Sequence, residues 1–427
     1  MKKHKVMTIS LFVIFLILTA LNFQSYAASI TLRVLSTTIV EKPEGNVERQ
    51  IAEEFMQKNP DIKIEFIGVP MNNVYAKITT LATGGDMPDI FTNVPQFVAQ
   101  AADLGIVEDL DELLGPDFIK GFYPNAIREA SLNGKLQFIP WFSTPLALLY
   151  RGDWFKAEGL AAPQTWDDFV AVAKKLTKDV NNDGKVDRWG FAMLGARNDS
   201  AMSRYNCILK TFGAYELRRD TSGNWVTDVD SPKGINALRF FTDLYLKDHV
   251  VPPGPTEVSY AEALELMALE KTGMMITGPH SIGGILARNP KLAGKIYSVP
   301  VPKKEKHVSF LGVYGFSISK TSKHKDAAVK YLKYLISKEN LLEWNRVTGR
   351  MPCRIDAGKE PQISGPVYAG FVKAMDYAEA VPNVAFYPEI IDIEGEAVQA
   401  VLTGQATPEQ AAKKAGEKIR AAIRRAQ

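Results

Sequence analysis

The sequence predicts an α/β protein built as two lobes, and three observations carry that expectation. From residue 31 onward, strand-like segments alternate with amphipathic helices, the rhythm of a sheet joined by crossover helices. The chain has 427 residues, where one domain usually takes about 100–200. Its hydrophobic share of 46% and charged share of 23% are those of a globular chain able to bury a full core.

Each element follows from its local pattern. Thr31–Ser36 reads as a strand. Val47, Ile51 and Phe55 recur at four-residue spacing, one face of a helix that Asn59-Pro60 stops. Ile62, Ile64 and Phe66 alternate with polar residues as a half-buried strand does. A helix around Tyr75–Ala82, a Gly84-Gly85 break and the short strand Asp89–Phe91 complete a unit that implies a largely parallel sheet. Trp166–Leu176 is a helix capped by Thr165 with Asp168 returning the bond. Ile235–Lys247 is another amphipathic helix, and Met274–Ile276 is a buried strand ending in Gly278-Pro279. Ala327–Ile336 turns Ala328, Leu332 and Leu335 inward. The last helix opens on Thr407-Pro408-Glu409-Gln410, a cap with proline in the first turn. It ends in a basic run, Lys418–Arg425, that suits a helix C-terminus and reads as a solvated face.

The N-terminus differs from the rest. Lys2, Lys3 and Lys5 precede the apolar run Leu11–Leu21, and Ser25-Tyr26-Ala27 offers small residues where a signal peptidase reads. Residues 1–27 therefore read as a cleaved export signal, with Ala28 first in the mature chain. The run is shorter than the ~20 residues a spanning helix needs, and no Cys near the cleavage site offers a lipid anchor. The mature chain is expected in a periplasm. Without the three lysines its charges balance at 48 against 48, which gives it no global attraction to nucleic acid or anionic membrane. Cys207 and Cys353 are too few for a disulfide scaffold; they form one bridge or, the preferred reading, two buried thiols.

Catalytic and cofactor signatures are missing. The sequence holds no H-E-x-x-H, P-loop, paired C-x-x-C or G-x-S-x-G. It has five histidines, of which His4 leaves with the signal, so no metal and no cofactor are expected. The segment Asp179–Asp187 begins like a calcium loop, with oxygen side chains at alternate positions and Gly184 at the turn, but Gly190 stands where the bidentate Glu belongs. A plain turn is the preferred reading. A secreted carbohydrate-active enzyme remains the alternative of another class, because two carboxylates need only be close in space.

Six segments in order resemble one family, the extracellular solute-binding proteins of sugar-type ABC importers, similar to maltodextrin- and glycerol-phosphate-binding proteins. They are Phe55–Ile64; Gly84–Ile90; Ile139–Trp141 with Leu148–Tyr150; Asp153–Leu160 with Pro163–Asp168; Gly273–Pro279; and Ser319–His324. The resemblance runs over nearly all of the mature chain. It implies a type II, maltose-binding-protein-like fold of two lobes, each a mixed sheet flanked by helices, joined by a hinge the chain crosses several times. The lobes are expected at 28–143 plus 314–352 and at 144–313 plus 353–427, with crossings near Ser143–Pro145, Phe310–Tyr314 and Arg350–Cys353. It further implies a non-catalytic monomer that closes on a small ligand and docks on permease transmembrane subunits.

Sugar recognition needs flat aromatic faces and polar groups for hydroxyls. By position in the family-like pattern, the first lobe offers Thr37, Thr38, Asn93, Gln96, Trp141 and Ser143, although Trp141 also suits a core. The second offers Tyr205, Asn206 and His280, the last where the family often has an aromatic. Gly312 and Tyr314 stand at the second crossing and Arg350 at the third. Arg151, where the family commonly has Asn, is read as a ligand contact or a lobe–lobe ion pair. A mono- or disaccharide is the expected ligand, with glycerol phosphate or another anion as runner-up because of Arg151, Arg350 and His280. A sensory binding protein, presenting ligand to a receptor, is not separable by sequence.

Overall fold

The computed structural model describes residues 30–426, so the export-signal reading of 1–27 lies outside the described residues. In chain order the first lobe opens with β1 (Ile30–Ser36), α1 (Glu44–Lys58), β2 (Ile62–Gly68), α2 (Val74–Thr83), β3 (Ile90–Asn93) and β4 (Ile139–Ser143). The chain then builds β5 (Ala147–Arg151), α3 (Trp166–Leu176), β6 (Trp189–Phe191), α4 (Asp199–Thr211), α5 (Pro232–Leu246), β7 (Thr272–Thr277), α6 (His280–Arg288) and β8 (Ile296–Val299). It returns through β9 (Val313–Ile318), α7 (Lys325–Leu335), α8 (Lys338–Thr348) and β10 (Met351–Pro352), and ends with α9 (Tyr387–Leu402) and α10 (Pro408–Ala426).

Two sheets result. The first runs β10-β4-β9-β3-β1-β2 and the second β8-β5-β7-β6. Both are mixed. The sequence rhythm implies largely parallel pairing, and β1 does pair in parallel with β2 and β3, as β7 does with β6. Strands next to the hinge pair antiparallel instead. The reason is topological: β4 runs toward the hinge and β9 away from it, so as neighbours they oppose, and β5 and β8 do the same in the second lobe.

Alternation along the strands splits the first core across the sheet. Val34 and Ile90 pack on one face with Val47, Ile51 and Phe55 of α1 and with Ala328, Leu332 and Leu335 of α7. Leu35 and Phe91 point to the other face with Ile78 and Phe97. The second lobe has one continuous core, which joins β5 and β7 to α3, α4, α5, α9 and α10. The caps read from sequence are in place. Thr165 and Asp168 form a reciprocal box, as do Thr407 and Gln410. The basic end of α10 is spent on intramolecular ion pairs, Arg420 with Asp230 (2.7 Å) and Lys418 with Glu396 (2.6 Å).

Three segments lie side by side where the lobes meet. The Thr144 amide donates to the Gly312 carbonyl (2.9 Å) and that of Leu146 to Phe310 (3.3 Å). The Leu311 amide donates to the Glu379 carbonyl (2.8 Å), and the Glu379 amide to Ser309 (2.9 Å). Met351-Pro352 pairs with β4, so the expected crossing at Arg350–Cys353 is instead a strand of the first sheet. Cys353 and Ala357 are buried in the first core, and Ile363 is in the second. Cys207 and Cys353 are free, buried thiols; burial pushes Cys207 up to about 12.

Candidate functional site

The sheets face each other through the loops at one end of each, where α/β folds gather ligands. From the first lobe, β9 brings Tyr314, stacked on Phe142 at 5.0 Å and 14°. The turn after α8 brings Arg350, whose guanidinium lies 4.9 Å over the Phe142 ring and pairs with Glu44 (2.9 Å) and Glu41 (3.5 Å). Gly349 takes φ +72°, and a Cβ there would sit 3.0 Å from the Pro279 carbonyl and 3.2 Å from the His280 Cα. The two lobes thus touch between this turn and the start of α6. Tyr75 of α2 adds a ring stacked on Phe97 at 4.7 Å.

From the second lobe, β7 ends at Thr277 and α6 begins at His280. Thr277 and Ser281 hydroxyls lie 2.6 Å apart, and Ser281 donates to the Tyr260 hydroxyl (3.1 Å). The Tyr260 ring lies 5.4 Å from that of His280. Arg204 donates through Nε to the Ile276 carbonyl (3.2 Å) and through Nη1 to the Ser200 carbonyl (2.7 Å). Asp199, first in α4, is exposed, while Asn198 caps the helix by accepting from Ala201 (2.9 Å).

Electrostatics tie these groups together. Burial, then Arg350 and Arg204, lower the His280 imidazole to about 4, so it is neutral at pH 7 and presents one donor and one acceptor. Burial lowers Arg204 to about 10. Burial raises the Tyr314 phenol, with Arg350 opposing and Glu41 and Asp199 reinforcing, so charges of both lobes reach one hydroxyl. Clustered shifts of this kind mark functional sites more often than plain surface.

Of the residues read from sequence, Tyr314, His280 and Arg350 come together here, and Gln96 is exposed just after β3. The others are engaged by contacts within the fold. Thr37 gives its amide to the Thr92 hydroxyl (3.2 Å), and Thr38 donates its hydroxyl to Glu48 (2.6 Å). Asn93 is buried and donates to Ser317 (2.9 Å). Trp141 is core, 4.1 Å from the Trp344 ring and beside Phe316, because β4 is a central strand with both faces covered. The Ser143 hydroxyl is buried against Met375 Sδ (3.1 Å). Gly312 makes room for protein rather than ligand, since a Cβ there would sit 2.5 Å from Thr144 Oγ1.

Tyr205 and Asn206 point into the second core. Tyr205 packs 5.4 Å from Phe241, and Asn206 donates to buried Glu394 (2.9 Å). The helix is enclosed on all sides from Arg204 to Thr211, which places both residues among core side chains. Arg151 is neither ligand contact nor lobe–lobe pair. It closes β5 at the end away from the hinge, bonded to Asp153 (2.7 Å) and Glu270 (2.9 Å) and stacked 4.2 Å over Trp154, all within the second lobe. Tyr75, Asp199, Arg204 and Tyr260 are further polar or aromatic residues near the junction that the sequence reading does not name. An Asn-Asp-Ser helix start after strand β6 was the available signal for two of them. Loop 179–187 spends its oxygens on itself: Asp179 accepts from Asp183 (3.2 Å) and Gly184 (2.8 Å), and Asp187 from Val180 (3.1 Å).

Beneath the junction, Glu48 is fully buried and accepts from Ser36 (2.9 Å) and Thr38. Burial raises it from 4.5 to about 7 despite those bonds. Because the folded value is the higher one, this group's stabilising share is complete below about pH 4.5 and is lost as pH rises to about 7. Glu48→Gln keeps an acceptor for both hydroxyls and removes the titration. We expect it to match the wild type near pH 4.5 and exceed it by about 3 kcal/mol at pH 8 in urea unfolding. Parallel pH profiles for the two proteins would refute this.

Comparisons with known proteins identify the family and the fold. A family model described as bacterial extracellular solute-binding protein matches residues 41–341. A putative binding protein of Brucella abortus is 24% identical over 418 residues, 96% of this chain and 98% of that protein. The maltotriose-binding protein of Pyrococcus abyssi is 25% identical over 350 residues, 80% of this chain and 71% of that one. Among solved structures, an ABC transporter solute-binding protein of Thermotoga lettingae bound with α-D-tagatose is 28% identical, with a TM-score of 0.72 over 92% of this chain and 100% of that one. Maltose-bound MalE3 of T. maritima is 27% identical, with a TM-score of 0.72 over 92% of this chain and 99% of that one.

Proposed function

As the chain belongs to the bacterial extracellular solute-binding proteins, we propose that it captures a neutral sugar of one or two rings between its lobes for an ABC importer. The observation that carries the choice of a neutral ligand is the charge balance at the junction. Arg350 is answered by Glu44 and Glu41, and the Arg204 fork is turned onto backbone and serine oxygens. No guanidinium is left to offer the two-pronged grip that phosphate or carboxylate recognition uses. The neutral His280, the tyrosine rings and the hydroxyls of the junction suit hydroxyl-rich rings. The ligands of these relatives, maltotriose, tagatose and maltose, are of this chemistry.

The proposed contacts are Tyr75, Gln96, Tyr314 and Arg350 from the first lobe, and Asp199, Tyr260 and His280 from the second. We assign the first lobe to residues up to 143 and 313–358, and the second to 147–299 with the chain from 387 onward. The three segments between them form the hinge on which the lobes close. Residues 1–27 are assigned as a cleaved export signal, leaving a periplasmic monomer that binds without turnover and docks on permease subunits.

The test is a thermal-shift screen of the chain from residue 28 against sugars, sugar alcohols, glycerol phosphates and amino acids. A sugar at a hundred times its Kd should stabilise the fold by about 2.7 kcal/mol. Stabilisation by glycerol phosphate alone, or product formation from any glycan, would replace this reading.

A further inference from the structure

Outside the three hinge segments, the lobes also meet in a close contact beside the site. Gly349 ends α8 in the left-handed conformation, its amide donating to the Asn345 carbonyl (2.7 Å). A Cβ on it would meet the Pro279 carbonyl and the His280 Cα of the second lobe, backbone atoms that cannot rotate aside. Met351, two residues on, belongs to a strand of the first sheet yet is buried in the second core. Leu342 of α8 packs against both cores. The turn between them is stiff. Asn345 donates to the Arg350 carbonyl (3.0 Å), the Arg350 amide donates to the Thr348 hydroxyl (3.2 Å), and Glu44 holds the guanidinium.

We propose, resting on the sugar-binding reading, that this turn is the latch of the cleft: Gly349 seats on the start of α6 as the lobes close, and Met351 and Leu342 bury against the second lobe in the same movement. The contact joins the residue before Arg350 to His280 itself, so forming it brings two of the assigned ligand groups into register. Apolar surface covered only in the closed form favours that form. A ligand that needs the closed form then binds more tightly, because the competent state is more populated. Glycine matters at 349 for a steric reason. A side chain there would press on the Pro279–His280 backbone and hold the lobes short of closure, where contacts across the cleft have to be met to about 0.5 Å.

The experiment compares wild type, Met351→Ala and Gly349→Asn by the melting temperature of the free protein and by calorimetry with maltose and D-tagatose. Asn is chosen at 349 because it tolerates the left-handed turn. Without ligand the latch is undone, so both variants should melt with the wild type. Both should bind about tenfold more weakly, as the closed form loses population. Met351→Ala is decisive, and it stands alone if Gly349→Asn does not fold. A free Met351→Ala protein that melts several degrees lower would show a fixed hinge core in place of a latch. Affinity within about twofold of wild type would overturn the latch as well, and in either case the sugar reading stands. Wild-type affinity in a folded Gly349→Asn would overturn the part given to Gly349. If the wild type binds neither probe, the sugar reading falls and the latch with it.

Discussion

Lys210→Met should cost about 3–5 kcal/mol of stability at pH 7, because it leaves a buried carboxylate without its counter-charge. Lys210 Nζ sits 3.1 Å from Glu216 Oε1 in the second core, and both side chains are buried. Tyr387 donates to the same oxygen at 3.1 Å. Glu394 lies nearby on α9, held by Asn206 (2.9 Å), and burial together with the Glu216 charge pushes its carboxyl well above the usual range. Glu216 Oε2, Glu394 Oε1 and Asn206 Oδ1 are buried acceptors without partners. The network therefore has more acceptors than donors, and removing the ammonium worsens the deficit. Urea unfolding at pH 5 and pH 8 checks this. The loss should be smaller at pH 5, where a proton can replace the lost charge. A cost under 1 kcal/mol at both values would mean that solvent reaches Glu216 and the pair is not a core element.

Tyr314→Ala should weaken ligand binding about ten- to a hundredfold, the loss expected when one stacking face and one hydroxyl disappear together. Tyr314 is half-buried, its ring stacks on Phe142, and its hydroxyl feels charges from both lobes. Tyr314→Phe separates the two contributions, keeping the ring and losing only the hydroxyl, with a cost of several-fold. Calorimetry with the sugar found in the screen reads both. Unchanged affinity in Tyr314→Ala, with the variant folded, would move the site away from the hinge strand.

The two kinds of legibility differ by residue. Val47, Ile51 and Phe55 could be placed in a core from spacing alone, because a 3.6-residue period fixes which side chains share a face. The boxes at Thr165 and Thr407 were readable because capping is settled within four residues. Six ordered segments sufficed for the two-lobed fold. Trp141, Tyr205 and Asn206 were not readable in this way. Each has the chemistry of a ligand contact, and only the packing of β4 between neighbours, or the enclosure of α4 within the second core, takes it inside. Arg151 stood open between a ligand contact and a lobe–lobe ion pair, and only Asp153 and Glu270, the latter more than a hundred positions away, assign it to the second lobe.

The order and type of the elements and the family rest on local periodicity, caps and short motifs, and so were legible along the chain. Which polar groups remain available to a ligand depends instead on long-range packing. Asp199 and Glu216 are both acidic residues near helix ends, and nothing local tells them apart. Burial beside Lys210 spends one charge inside the fold, and the other is left exposed at the start of α4. Availability is the remainder after every long-range partner has been assigned, and those partners are set by how the chain returns on itself.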